Sequence, residues 1–122
     1  MIIASQLMTK SPSVIDVTST LRSAIERLEA LDIRHLPVVD SNGAVVGMLS
    51  DRDVRAVGNT ALDASVATVM ANDVIAVDLD TDVIDIARVM LDYKIGAVPV
   101  VDADDSIVGI ISYLDLLRAF TA

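Results

Sequence analysis

Two short stretches of the chain carry residue types that could do chemistry: Ser50-Asp51-Arg52-Asp53 and Ser112-Tyr113-Leu114-Asp115. In each, a hydroxyl stands three residues before a carboxylate, just after an apolar run that contains a glycine, Gly47 or Gly109. This pattern predicts a strand running into a helix, with the serine at the helix start and the acid in its first turn. A helix start has unpaired N–H groups and the positive end of the backbone dipole, so it favours an anion. A carboxylate beside it accepts hydrogen bonds and suits vicinal hydroxyls, as on a ribose. The glycines carry no side chain, so another group can approach the backbone closely. The competing explanation is simple capping, with serine as N-cap and aspartate favoured by the dipole.

The two stretches are parts of a longer duplication. Residues 3–58 are written again at 65–120 without a gap, each position answering to the one 62 later. His35-Leu36-Pro37-Val38-Val39-Asp40 returns as Ala97-Val98-Pro99-Val100-Val101-Asp102, and Met8 answers to Met70. Such a repeat predicts two similar units about an approximate two-fold axis, with a cleft between them. The copies differ in charge. Arg34-His35 stand where the second copy has Gly96-Ala97, and Arg52, Arg55 and Lys10 become Leu114, Leu117 and Asn72. At most one well-charged phosphate position per chain is expected, built around Arg34 and His35.

The elements that must position these residues follow from periodicity. Each copy begins with a helical turn (Ser5 to Met8; Val66 to Met70) and a brief strand over residues 14–17 or 75–79. A helix comes next, with an inner face of Leu21, Ala24, Ile25, Leu28 and Leu31, or Val83, Ile86, Ala87, Met90 and Tyr93. Thr18-Ser19-Thr20 and Asp80-Thr81-Asp82 supply N-cap candidates. Two β-branched runs then flank Asp40-Ser41-Asn42-Gly43, a strong hairpin signal, or the glycine-free turn at residues 102–106. The last helix starts at Ser50 or Ser112, and Gly58-Asn59-Thr60 closes the first copy. Pro37 and Pro99 lack a ladder donor, which predicts a place at a sheet edge or strand start. The order strand, helix, strand, strand, helix, twice, is an α/β (α+β) fold. Residues 1–61 are expected to form one repeat and 62–122 the other. A half of this size buries only about 60% of its unfolded surface, so the halves are expected to share a core.

Composition removes several classes of function. The formal charge is −9, with net −1 over residues 1–61 and −8 over 62–122, and there are only three aromatic residues. Such a surface repels phosphate backbones and offers no base-stacking platform, so nucleic-acid binding is not expected. No apolar run reaches the roughly 20 residues of a membrane span. No basic leader precedes an apolar run, and a cytoplasmic location is the default expectation. Absence of cysteine excludes disulfides and thiol chemistry, and a single histidine cannot assemble a multi-His metal site. Asp102, Asp104 and Asp105 lack the glycine and distant glutamate of a calcium loop. There is no phosphate-loop motif and no second base for a nucleophile, so the chain reads as non-catalytic.

The cassette hydrophobic-Pro-Val-Val-Asp, turn, Val-Gly-x-x-Ser-x-x-Asp, present twice in register, resembles the CBS domain, named after cystathionine β-synthase. The tandem resembles the pair called a Bateman module, from about Ala4 to Phe120. The resemblance implies two β-α-β-β-α repeats related by a pseudo-two-fold axis. It implies a regulatory sensor that binds an adenosine-type ligand, AMP, ADP, ATP or S-adenosylmethionine, in the cleft, with no cofactor required. Asp53 and Asp115 would then hold ribose, and Ser50, Ser112, Arg34, His35 and Arg52 would meet phosphate. Ile15, Pro37, Ile75, Val77, Val98 and Pro99 are expected to wall the base pocket. Arg22, Arg27, Glu29, Arg52 and Arg55 become Ile84, Val89, Leu91, Leu114 and Leu117, which clears charge from two helices of the second copy. Family pairs commonly dimerise through these helices, so a homodimer buried there is expected, unless these residues complete the chain's own core. The alternative function is an interaction module with vestigial pockets that docks on an enzyme, transporter or kinase.

Overall fold

The structure is a computed structural model and describes residues 1–121. Along the chain it contains α1 (Ala4–Leu7), β1 (Thr9–Lys10), β2 (Ile15–Asp16), α2 (Leu21–Leu31), β3 (His35–Val39), β4 (Val45–Ser50) and α3 (Asp51–Val57). Two 3₁₀ turns, Gly58–Ala61 and Val66–Thr68, lead to β5 (Val77–Asp78), α4 (Val83–Tyr93), β6 (Ala97–Val101), β7 (Ile107–Ser112) and α5 (Tyr113–Ala119). The β-α-β-β-α order expected for each copy is present in both.

The compact units do not follow the sequence halves. One unit is Ser13–Val74; the other joins Met1–Pro12 to Ile75–Ala122. In the Ser13–Val74 unit, β2 runs parallel to β3 and β3 antiparallel to β4. The outer edge of β4 is taken by Ala71, which exchanges two backbone hydrogen bonds with Met48 (3.0 and 2.9 Å). In the other unit the sheet order is β1-β7-β6-β5, with Thr9 opposite Ile110 and Lys10 opposite Gly109. The leading segment of each copy thus completes the sheet of the other copy. This exchange also redistributes charge. Ser13–Val74 holds five basic and nine acidic residues, net −4, and the other unit four and nine, net −5. The steep asymmetry read from the halves is absent from the folded units.

A single shared core was expected; each unit has its own. Ile15, Leu21, Ala24, Leu28, Leu36, Val38, Leu49, Val54 and Val66 form one cluster. Ala4, Val77, Ile86, Met90, Val98, Val100, Ile111 and Leu116 form the other. Each draws on both sequence halves, through Val66 in the first and Ala4 in the second. Fully burying one such Leu, Ile or Val stabilises by roughly 1.5–3 kcal/mol. Helices α2 and α4 are capped by Thr20, which accepts from the Ser23 N–H, and Asp82, which accepts from the Ile84 N–H. Both end on a left-handed residue, Asp32 (φ 52°) or Lys94 (φ 55°). Leu31 and Tyr93, expected on the inner faces, lie exposed in these last turns. The stripe stops there because the chain is already turning away from the sheet.

The prolines also depart from expectation. Pro37 and Pro99 sit in β3 and β6, each flanked by a strand on both sides. Pro37 is paired with Met48, whose own N–H and C=O point away, to Ala71. Pro37 therefore stands in a non-hydrogen-bonded pair, and its nitrogen faces the side where β2 reaches only Val38 and Val39. No ladder bond is lost. The hairpins close as expected, the Asp40 carboxylate accepting from the Asn42 and Ala44 N–H groups at 2.9 and 3.0 Å. In the glycine-free turn Asp105 adopts φ 61° where Gly43 has φ 82°, and Asp102 accepts from Asp104 and Ser106.

Candidate functional site

Both serine–aspartate turns form at the starts of α3 and α5; the first is a full capping box, as the competing explanation held, whereas in the second only the aspartate half of the box is made. They are wired differently. Ser50 Oγ accepts from the Asp53 N–H at 3.1 Å, while Asp53 Oδ2 accepts from the Ser50 N–H at 3.0 Å. Asp53 is half-buried, and its Oδ1 has no protein partner among the described residues. Asp115 is buried at 8% exposure. Its Oδ2 accepts from both the Ser112 N–H (2.8 Å) and Oγ (3.2 Å), and Oδ1 meets Arg118 Nη1 at 3.4 Å. An ionised carboxylate has about four acceptor positions, so capping and ligand holding are compatible for either acid.

The first turn gathers cations. The Asp51 N–H donates to the Arg34 carbonyl at 2.8 Å, tying the start of α3 to the residue before β3. His35 pairs in register with Ser50. Its imidazole is held below the ordinary histidine range, chiefly by burial, with Asp53 acting in the opposite sense. At neutral pH His35 is therefore an uncharged hydrogen-bonding group. Arg34 and Arg55 both reach Asp51 Oδ2, Arg34 at 3.7 Å. The Arg55 hydrogen bond, and then the nearby positive charges, lower the Asp51 pKa. Arg52 is exposed on the same turn. Asp51 was not singled out from sequence; the Asp51–Arg55 spacing of four residues was the available signal.

The second turn has no such cluster. The Tyr113 N–H meets the Gly96 carbonyl at 3.3 Å, repeating the backbone tie without the arginine. A cavity of about 590 Å³ opens beside Asp115, lined chiefly by Ile2, Leu7, Met8, Thr9, Arg118 and Ala119. Lys10, counted with Arg34 from sequence, lies on β1 in this unit instead, because the leading segment pairs with β7. Among the expected wall residues, Ile15, Pro37, Val77, Val98 and Pro99 are buried and Ile75 is half-buried. The group approaching Gly47 is the chain's own Met70: a Cβ at position 47 would stand 2.3 Å from its Sδ. Met8 covers Gly109 in the same way.

On α4 and α5, Ile84, Leu91, Leu114 and Leu117 are 50–72% exposed, so they do not complete the core of their own unit. Val89 differs: it is half-buried and packs on that core. Among the described residues no group of His, Asp and Glu could hold a metal ion, and no helix is long and apolar enough to cross a membrane.

A family model of the CBS domain matches residues 4–58 and 66–122, and the chain belongs to the CBS domain family. A CBS domain-containing protein of Dictyostelium discoideum is 30% identical over 95% of this chain and 89% of its own length. The crystal structure of CBSX2 in complex with AMP is 28% identical, with a TM-score of 0.88 over 99% of this chain and 97% of that one. The CBS domain pair of protein MJ0100, in complex with 5′-methylthioadenosine and S-adenosyl-L-methionine, is 29% identical. Its TM-score is 0.91, over 99% of this chain and 97% of that one.

Proposed function

We propose that the chain is a non-catalytic regulatory module that binds an adenosine-type ligand at its serine–aspartate turns. The observation that carries this reading is the Asp53 turn. There a half-buried carboxylate with one free oxygen stands near the uncharged His35, on the turn whose Asp51 pairs with Arg34. Asp53 would hold the ribose hydroxyls, while Ser50, Arg34, His35 and Arg52 face the phosphate. Ser112 and Asp115 would play the first two roles in the other unit, beside the 590 Å³ cavity. Within their own units, Ile15 and Pro37 in one, and Val77, Val98 and Pro99 with the half-buried Ile75 in the other, would wall the base. The ligands of CBSX2 and the MJ0100 pair support this chemistry. A cytoplasmic location suits it. A ligand can switch the module only by binding two of its states unequally. Calorimetry with AMP, ADP, ATP and S-adenosylmethionine is the test. Saturable binding by at least one, weakened by Asp53→Ala or Asp115→Ala, supports the reading; no binding to the folded chain overturns it.

The same chain is proposed to form a homodimer through Ile84, Leu91, Leu114 and Leu117, with Val89 beneath them. Large aliphatic side chains on two helices of one unit favour burial against a second copy. The interaction-module alternative rests on this same surface, and a stoichiometric partner captured independently of nucleotide would favour it.

A further inference from the structure

Two cations of the Asp53 turn are already occupied. Arg34, just before β3, and Arg55, one turn into α3, both direct a guanidinium to the same atom, Asp51 Oδ2. The two arginine side chains remain 70% exposed, and that of Asp51 30%, so an incoming anion reaches the clamp from solvent. The backbone of Asp51 is fixed by its N–H bond to the Arg34 carbonyl, which leaves only the side chain free to swing. The other copy supplies an internal comparison. Where Arg34, Asp51 and Arg55 stand in the first, it has Gly96, Tyr113 and Leu117, with neither clamp nor counter-ion. Carboxylate and guanidinium pair occur together or not at all.

We propose that Asp51 is a built-in occupant of the anion position, which the ligand's phosphate must displace to reach Arg34 and Arg55. This rests on the adenosine-ligand reading for the nucleoside part but not for the anion part. Two guanidiniums close together repel each other, and the carboxylate offsets that repulsion in the empty state. A phosphate gives both arginines stronger, charge-assisted partners. It gains only the difference, because the Asp51 contacts are lost and a displaced carboxylate remains nearby to repel it. The device therefore sets a threshold. Uncharged adenosyl compounds bind without disturbing it, and phosphorylated ones pay out part of their affinity to open it.

The test is a titration of the full chain with inorganic phosphate and, separately, with adenosine, followed by NMR shifts of the Ser50 to Asp53 amides. Wild type is compared with Asp51→Asn, Asp51→Ala and the double variant Asp51→Asn with Arg34→Gln. Exposed ion pairs are individually weak, so removing two of them and one repulsion should tighten phosphate about three- to tenfold. Adenosine binding should stay unchanged, and the double variant should lose the gain. Unchanged or weaker phosphate binding in both Asp51 variants overturns the proposal, since Asp51 would then be orienting the arginines. Absence of phosphate binding in every protein also overturns it. A phosphate gain without adenosine binding leaves the clamp standing and removes the nucleoside reading instead.

Discussion

The contact between Met70 and Gly47 makes a quantitative test of how each sheet is completed. A Cβ built on Gly47 lies 2.3 Å from Met70 Sδ, 2.8 Å from Met70 Cγ and 3.1 Å from the Ala71 carbonyl oxygen. Ordinary carbon contacts are about 3.5–4.0 Å, so the thioether must move by more than an ångström. The Ala71 oxygen cannot give as readily, because two hydrogen bonds hold Ala71 to Met48. Overpacking of this kind costs about 1–3 kcal/mol, and removing glycine from a strand returns about 0.5–1 kcal/mol. Gly47→Ala should therefore destabilise by about 1–2 kcal/mol, lowering the melting midpoint by roughly 3–6 °C. In that background Met70→Ala should cost less than it does in wild type, with a favourable coupling of about 1 kcal/mol. Gly109→Ala differs, since the third close atom there is Met8 Cβ at 2.9 Å. Met8→Ala keeps that atom and should rescue less. Urea denaturation followed by circular dichroism reads the wild type, the four single variants and the two doubles. An unchanged midpoint for Gly47→Ala, or strictly additive effects with Met70→Ala, would refute the argument.

Three further outcomes are expected. Asp115→Ala removes the acceptor of Ser112 N–H, Ser112 Oγ and Arg118, and should cost about 1.5–3 kcal/mol. Asp53→Ala removes a half-buried cap and should cost about 0.5–1.5 kcal/mol, so equal urea midpoints would contradict the unequal wiring. His35 is kept neutral by burial, so the unfolded chain takes up its proton first as pH falls. Its contribution should vanish above the ordinary value of 6.5 and become destabilising below it, down to the lowered folded pKa. His35→Gln should flatten the wild-type stability slope in that window, and parallel slopes would count against it. Leu117→Arg places a charge on the exposed apolar face of α5 and should shift the mass seen by light scattering from dimer to monomer. A dimer that persists unchanged would defeat that placement.

Much of the local structure was legible because it depends on neighbours in the chain. Hydrophobic spacing marks α2 and α4, the Asn42-Gly43 pair marks a hairpin, and serine three residues before aspartate marks a helix start. The capping geometry of Ser50 with Asp53 follows from residues within one turn. Pro37 was misplaced for a different reason. Its residue type forbids one hydrogen bond, but only the pairing of Met48 with Ala71 shows that this bond was never required. Leu31 and Tyr93 fit the helical period and still emerge into solvent, since periodicity does not say where the sheet beneath a helix ends.

By itself, then, the chain specifies a doubled β-α-β-β-α unit, two acid-bearing helix starts and the restriction of Arg34, Arg52 and Arg55 to one copy, all properties of residue type and short-range spacing. Tertiary structure decided which sheet each leading segment joins, and with it the near-equal charge of the units and the position of Lys10. It also decided that Arg34 and Arg55 converge on Asp51, and that Asp115 is buried against three donors while Asp53 keeps an oxygen free. These depend on which backbone edges and charged groups meet across long stretches of chain, and a linear pattern does not encode such meetings until the sheets have paired.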